Sequence, residues 1–255
     1  MRYLYIIYQI CIGLPIFLAA TIITALTTMI GCWLGNGNFW GYYPGKLWSQ
    51  ITCILFLLPV KVKGHENLDR KTSYVFVANH QGSFDIFLVY GYLGRNFKWM
   101  MKKSLRKIPF VGKACESAGF IFVDKSSPRK ILETIKSAEK VLQDGTSLMV
   151  FPEGARTYTG QMNEFKKGAF LIAHQLQMPV VPLTIDGPFD VLPRTGRLLH
   201  WHPLRLTIHK PILPGGKTEE NLQRVMEESY KEIENGLPEK YKAHATGATG
   251  ATQDA

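Results

Sequence analysis

Residues 3–34, YLYIIYQICIGLPIFLAATIITALTTMIGCWL, form one uncharged apolar run. It exceeds the roughly 20 residues a helix needs to cross a bilayer. No Asp, Glu, Lys or Arg occurs from Tyr3 to Gly45, and the first acidic residue of the chain is Glu66. A second run, LWSQITCILFLLPV (47–60), is too short to span comfortably and predicts a re-entrant or interfacial segment. Gly35-Asn36-Gly37-Asn38, followed by Trp40, Tyr42, Tyr43, Pro44 and Trp48, reads as an interfacial connector with an aromatic belt. The pattern predicts a membrane-associated helical hairpin or anchor over 1–62, one long apolar helix plus a short one. A cleaved signal peptide fits poorly, because Arg2 is a thin basic leader and the run is about twice the usual length.

Beyond the anchor the period of the pattern alternates. Strands are predicted at 73–78, 96–101, 119–123, 147–151, 178–185 (interrupted by Pro182) and 204–210. Helices are predicted at 127–145, 166–176 and 218–236. In the first, Ser127 is placed to cap, Pro128 lies in the first turn, and Ile131, Ile135, Ala138 and Leu142 share a face. Strands alternating with helices indicate an α/β domain, assigned here to 63–237. HATGATGATQDA closes a low-complexity tail, 238–255, expected to be disordered.

The formal charge of +10 lies almost entirely from Lys46 onward. A basic domain beside a membrane anchor fits anionic headgroups and anionic substrates. No zinc spacing or nucleic-acid-binding motif accompanies the charge, so nucleic acid is not expected as a partner. Lys46, Lys61 and Lys63 flank the second apolar run and place the domain on the cytoplasmic face of the inner membrane. The four cysteines (Cys11, Cys32, Cys53, Cys115) contain no C-x-x-C pair, which argues against a disulfide framework and a zinc site.

Two polar clusters follow apolar strands, where sites of α/β sheets gather. In VFVANHQGSFDIF (76–88), a turn through Gly82 and Ser83 could fold Asp85 back onto His80. The Asp would then fix the imidazole tautomer for general-base work. The alternative is a plain capping turn. A third use of the segment, with Ser83 as the nucleophile of a membrane-bound esterase, lacks a G-x-S-x-G elbow. In FPEGARTYTG (151–160), Arg156 suits a bidentate phosphate contact and Glu153 could accept from a polyol hydroxyl. A polar turn with a surface ion pair reads equally well.

Taken together, these clusters resemble the boxes of the glycerolipid acyltransferases of the 1-acylglycerol-3-phosphate acyltransferase type. NHQGSFD resembles the N-H-(four residues)-D box and FPEGARTYTG resembles F-P-E-G-T-R-S. AGFIFVDKSS (118–127) resembles the G-x-x-F-I-D-R box, and VVPLTI (180–185) the last one. Four boxes in order over roughly 60–235 make the resemblance specific. Ala155 stands where Thr or Ser is usual, and Lys125 where Arg is usual.

The resemblance implies a mixed sheet flanked by helices, and acyl transfer from acyl-CoA or acyl carrier protein to the 2-hydroxyl of lysophosphatidic acid. The product would be phosphatidic acid, made with no cofactor and no metal. It implies His80 as general base, Asp85 as its orienter, Glu153 and Gly154 against the glycerol backbone, and Arg156 on the phosphate. Lys102, Lys103 and Lys125 are implied as weaker phosphate contacts. A fold relative acting on another lysolipid or an amine remains the nearest alternative.

Overall fold

The computed structural model describes residues 2–123, 128–142 and 145–242. Helix α1 (Arg2–Tyr8) passes through a π-helical turn (Gln9–Gly13) into α2 (Leu14–Leu34), and then come α3 (Gly37–Trp40) and α4 (Tyr43–Leu55). The order continues β1 (Val60–Lys63), β2 (Val75–Ala78), α5 (Asp85–Tyr92), β3 (Phe97–Lys102), α6 (Val111–Ser117), β4 (Ile121–Val123) and α7 (Pro128–Val141). It closes with β5 (Ser147–Val150), α8 (Gly168–Leu176), β6 (Val180–Asp186), α9 (Pro188–Val191), β7 (Leu204–Ile208) and α10 (Glu219–Gly236).

The strands form one sheet in the order β1-β7-β6-β2-β5-β3-β4. All neighbours are parallel except β6 and β7, so β1 and β7 run against the other five and the sheet is mixed. Every residue of β2 and β5 is buried. The two-residue period sends Phe76 and Ala78 into one core with Leu88 and Phe97. Val75 and Val77 enter the other, with Leu148, Phe170 and Leu222. A sheet covered by helices on both faces explains why these strands read as continuous apolar runs.

Pro182 does not interrupt β6. On the β2 side the ladder needs no donor from it, and on the other side β7 ends at Ile208. The Pro182 carbonyl accepts the His209 N–H at 3.0 Å, and only the return bond is missing. Strand β1 has no counterpart in the expected elements. Its Lys61 and Lys63 alternate outward at the sheet edge, which masks the strand in the sequence and blunts the edge.

The helices follow their apolar stripes. α10 is capped by the Thr218 hydroxyl, which accepts the Asn221 N–H, and it buries Leu222, Val225, Ser229 and Ile233. α7 runs 128–141, shorter than expected, with Ala138 and Leu142 in the core; the expected cap, Ser127, lies outside the described residues.

Tyr3–Leu34 is long and apolar enough to cross a membrane, and most of its surface is exposed. It also packs on the domain: Phe17 stacks on Trp48 and meets Phe87 edge-on, and Trp48 Nε1 donates to Thr21 Oγ1 at 3.0 Å. The second apolar run becomes α4 plus the approach to β1. α4 buries Gly45, Ser49, Thr52 and Cys53, and it lies so close to α5 that a Cβ on Gly45 would overlap the Tyr90 ring. The expected boundary at 62 falls inside β1, a strand of the sheet. Ordered chain also continues past 237: Tyr241 is buried and donates to Asp190 Oδ1 at 2.8 Å. Residues 243–255, the rest of the expected tail, lie outside the described residues.

Candidate active site

β2 and β5 are adjacent parallel strands, so their C-terminal ends share one sheet edge. Asn79 and His80 leave β2 there, and Phe151-Pro152-Glu153-Gly154 leaves β5. Asn79, 1% exposed, stitches the edge together. Its Nδ2 donates to the Ile185 carbonyl and its Oδ1 accepts the Ile185 N–H, both at 2.8 Å.

His80 Nδ1 lies 2.6 Å from Asp85 Oδ2, the same oxygen that accepts the Gly82 N–H at 3.0 Å. The turn works because Gly82 has no side chain; a Cβ would come within 2.5 Å of the Pro188 carbonyl. Asp85 opens α5 and is fully buried. Burial pushes its carboxyl up, while His80 and the Gly82 and Gln81 N–H groups pull it down. A carboxylate on Nδ1 fixes the tautomer with its proton there and the lone pair on Nε2. The imidazole stacks on Phe151, with centroids 4.0 Å apart and planes within 7°, and Phe151 stacks in turn on Trp99.

Glu153 is buried, with both oxygens occupied. Oε1 accepts the His80 backbone N–H at 2.6 Å. Oε2 accepts the Asn163 N–H and side-chain amide at 2.8 and 2.7 Å. Burial raises its carboxyl to about 7, against those hydrogen bonds. Gly154 turns the chain with φ +77°, and a Cβ there would lie 3.3 Å from Lys166 Nζ. The Arg156 guanidinium donates to Ser83 Oγ in the loop between His80 and Asp85, and the Thr157 N–H bonds the His80 carbonyl at 2.9 Å.

Comparison with known proteins identifies the family. The family model described as Acyltransferase matches residues 59–186, half of the chain. The chain belongs to the acyltransferase family. It is 30% identical over 213 residues to the 1-acyl-sn-glycerol-3-phosphate acyltransferase of Saccharomyces cerevisiae, covering 81% of this chain and 69% of that one. It is 34% identical over 173 residues to a chloroplastic 1-acyl-sn-glycerol-3-phosphate acyltransferase of Arabidopsis thaliana, covering 67% of this chain and 48% of that one. The chain thus spans about half the length of its chloroplastic relatives from Arabidopsis thaliana and Brassica napus. Among solved structures, the 1-acyl-sn-glycerophosphate (LPA) acyltransferase PlsC of Thermotoga maritima superposes with a TM-score of 0.64 at 29% identity. That match covers 74% of this chain and 77% of the other. The mixed α/β fold is therefore the fold of this family.

In this family member the residues singled out by sequence fall into three groups. His80, Asp85, Glu153, Gly154 and Arg156 converge. Lys102 and Lys103 are exposed at the C-terminal end of β3, the strand beyond β5 on the same edge. Lys125 lies outside the described residues. Glu153 braces the His80 backbone through Oε1 and Asn163 through Oε2, a structural task beyond the substrate contact expected of it. Ser83 Oγ is held by Arg156, and among the described residues no hydrogen bond joins it to His80. Phe151 and Asn163 escaped the sequence reading. The phenylalanine sits inside a recognised box, whereas Asn163, ten residues past Glu153, carried no signal.

Proposed function

We propose that the chain transfers an acyl group from acyl-CoA or acyl carrier protein to the 2-hydroxyl of 1-acyl-sn-glycerol 3-phosphate, releasing phosphatidic acid. The observation that carries the reading is the His80–Asp85 pair on a loop that Arg156 also grips through Ser83. One rigid turn thereby holds a proton acceptor beside a cation suited to phosphate.

His80 Nε2 takes the hydroxyl proton as the oxygen attacks the thioester carbonyl carbon. The carbonyl electrons move onto oxygen, giving a tetrahedral oxyanion, and Asp85 stabilises the imidazolium. The oxyanion collapses, the C–S bond breaks, and the departing sulfur takes the proton from His80. Arg156 clamps the phosphate, with Lys166, Lys102 and Lys103 adding positive charge at the same edge. No cofactor beyond the thioester enters this scheme. The apolar α1–α2 unit holds the domain at the cytoplasmic face of the inner membrane, where the amphiphilic acceptor resides.

A serine esterase reading needs Ser83 bonded to His80, and the Arg156 contact disfavours it. The test is an acceptor panel: full-length protein with one labelled acyl thioester and lysophosphatidic acid, other lysolipids, amines or glycerol 3-phosphate. Preferential labelling of lysophosphatidic acid is expected. Preference for an amine or an uncharged lysolipid overturns the acceptor assignment.

A further inference from the structure

Between β3 and α6 the chain reads KKSLRKIPFVGK (102–113). Leu105, Ile108 and Phe110 are 40%, 43% and 52% exposed, although each is large and apolar. The side chains between them are mostly cationic. Over 102–117 five basic residues (Lys102, Lys103, Arg106, Lys107, Lys113) face one acid, Glu116. The formal charge of the segment is therefore +4, five bases less one acid, and the acid pairs with Arg106 at 3.0 Å and Lys113 at 3.1 Å.

The turn that carries these residues is built, not loose. The Val111 N–H bonds the Pro109 carbonyl at 2.6 Å and the Gly112 N–H bonds the Ile108 carbonyl at 2.9 Å. Gly112 lies so close to Arg106 that a Cβ would sit 2.1 Å from its carbonyl oxygen. Phe110 is held at φ +60°, a conformation that bulky side chains rarely adopt. The surrounding hydrogen bonds hold this conformation and keep the aromatic ring at the surface.

We propose that this turn is a second membrane-inserting element, a wedge of Leu105, Ile108 and Phe110 that enters an anionic bilayer while the surrounding lysines and Arg106 bind headgroup phosphates. Two features select a bilayer over a protein. The patch continues a neighbouring apolar surface, because α6, which follows the turn directly, packs against α2, whose outer face is exposed and apolar. Cations interleaved with apolar residues match the boundary between phosphate and acyl chain. The wedge begins at Lys102, at the end of β3, so its insertion brings the sheet edge bearing His80 down to the bilayer surface. The proposal rests on the reading of α1–α2 as a membrane anchor, and the test separates the two.

In the full-length protein a trifluoromethyl-phenylalanine replaces Phe110, and in a second protein it replaces the 83% exposed Trp33 of α2. Fluorine spectra are recorded in phosphatidylcholine vesicles with and without phosphatidylglycerol, adding either a nitroxide-tailed lipid or a water-soluble paramagnetic chelate. In anionic vesicles both probes are expected to broaden with the nitroxide lipid and to resist the chelate. The probe at 110 should lose that protection in neutral vesicles. Chelate broadening at 110 with protection at 33 overturns the wedge and leaves the anchor standing, and chelate broadening at both overturns the anchor as well. A shift at 110 on adding acyl carrier protein, with no protection in vesicles, overturns it in favour of protein docking. The variant carrying Leu105→Ser, Ile108→Ser and Phe110→Ser should lose at least about threefold in turnover of vesicle-embedded acceptor, with little change on dispersed short-chain acceptor. Equal loss on both acceptors also counts against the wedge.

Discussion

Glu153, at the end of β5, accepts the backbone N–H of His80, at the end of β2, in a 2.6 Å hydrogen bond. The two residues are 73 positions apart, yet the acid fixes the backbone from which the imidazole projects. Glu153→Gln keeps the shape but turns an amide toward the Asn163 donors. Turnover should fall by about 10-fold or more while the acceptor KM moves little. A large rise in acceptor KM with kcat preserved would return Glu153 to a substrate-contact role.

The same acid should leave a mark on stability. Its folded value of about 7 lies above the ordinary 4.5, so the folded state binds the proton more tightly than the unfolded chain does. Its contribution is fully present below about 4.5 and is lost as pH rises through about 7. The shift corresponds to roughly 3 kcal/mol. Denaturant midpoints measured across that window should fall less steeply with pH in Glu153→Gln than in the unaltered chain.

His80→Ala removes the proton acceptor and should cost about 10²–10⁴-fold in turnover, with the fold retained. Asp85→Asn should be comparably damaging for a different reason. Its amide can donate to Nδ1, which moves the ring proton to Nε2 and abolishes the lone pair that the hydroxyl needs. Retention of more than about a tenth of the activity by His80→Ala would remove it from the chemistry. Circular dichroism on both variants separates chemistry from folding.

Arg156→Lys keeps the charge and loses the fork. The acceptor KM should rise more than the thioester KM, by about 10-fold. Ser83→Ala should be mild, because Ser83 is a hydrogen-bond partner of Arg156 and not a nucleophile, and a fluorophosphonate probe should leave the unaltered protein unlabelled. Labelling that disappears in Ser83→Ala would install the esterase reading.

Asn79→Ala should test the frame, not the chemistry. It strands the buried N–H and carbonyl of Ile185 at once, each costing about 1–3 kcal/mol when left without a partner. A loss of about 2–4 kcal/mol in unfolding free energy is expected, and a loss below about 1 would mean that water replaces the side chain.

What the sequence showed well was local. The His80–Asp85 turn closes within five residues and Gly82 announces it, so its geometry could be argued from spacing alone. The apolar runs of β2, β5 and β6 likewise marked strands, and their alternation with helices marked an α/β sheet. What it hid depended on distant partners. The bracing role of Glu153 needs the His80 backbone from another strand, and Pro182 is tolerated only because β7 ends beside it. β1 was concealed by Lys61 and Lys63, edge residues that break the apolar pattern on purpose. The boundary near 62 followed hydropathy, whereas packing drew α4 and β1 into the domain.

That packing decides how the N-terminal part can be removed. Deleting 1–60 takes away α4 and the start of β1, stripping cover from Phe87 and Tyr90 and opening the edge beside β7. Such a chain should fail to fold, and its inactivity would carry no information about membranes. Deleting 1–13 removes α1 and the π-helical turn but spares Phe17, which fills the gap between Trp48, Phe56 and Phe87. It also removes the Tyr5 and Tyr8 hydroxyl bonds to the Phe56 and Leu55 carbonyls and the paired bonds of Gln9 with Leu199. The shorter deletion should fold with a lowered melting temperature and still float with anionic liposomes. Because α2 and the cationic turn both remain, its binding should survive high salt only in part, while the full-length chain stays bound. Flotation at low and high salt, with circular dichroism on each protein, measures both halves of this expectation. A folded and active 61–255 fragment would show that α4 is an anchor appended to the domain and not a part of it.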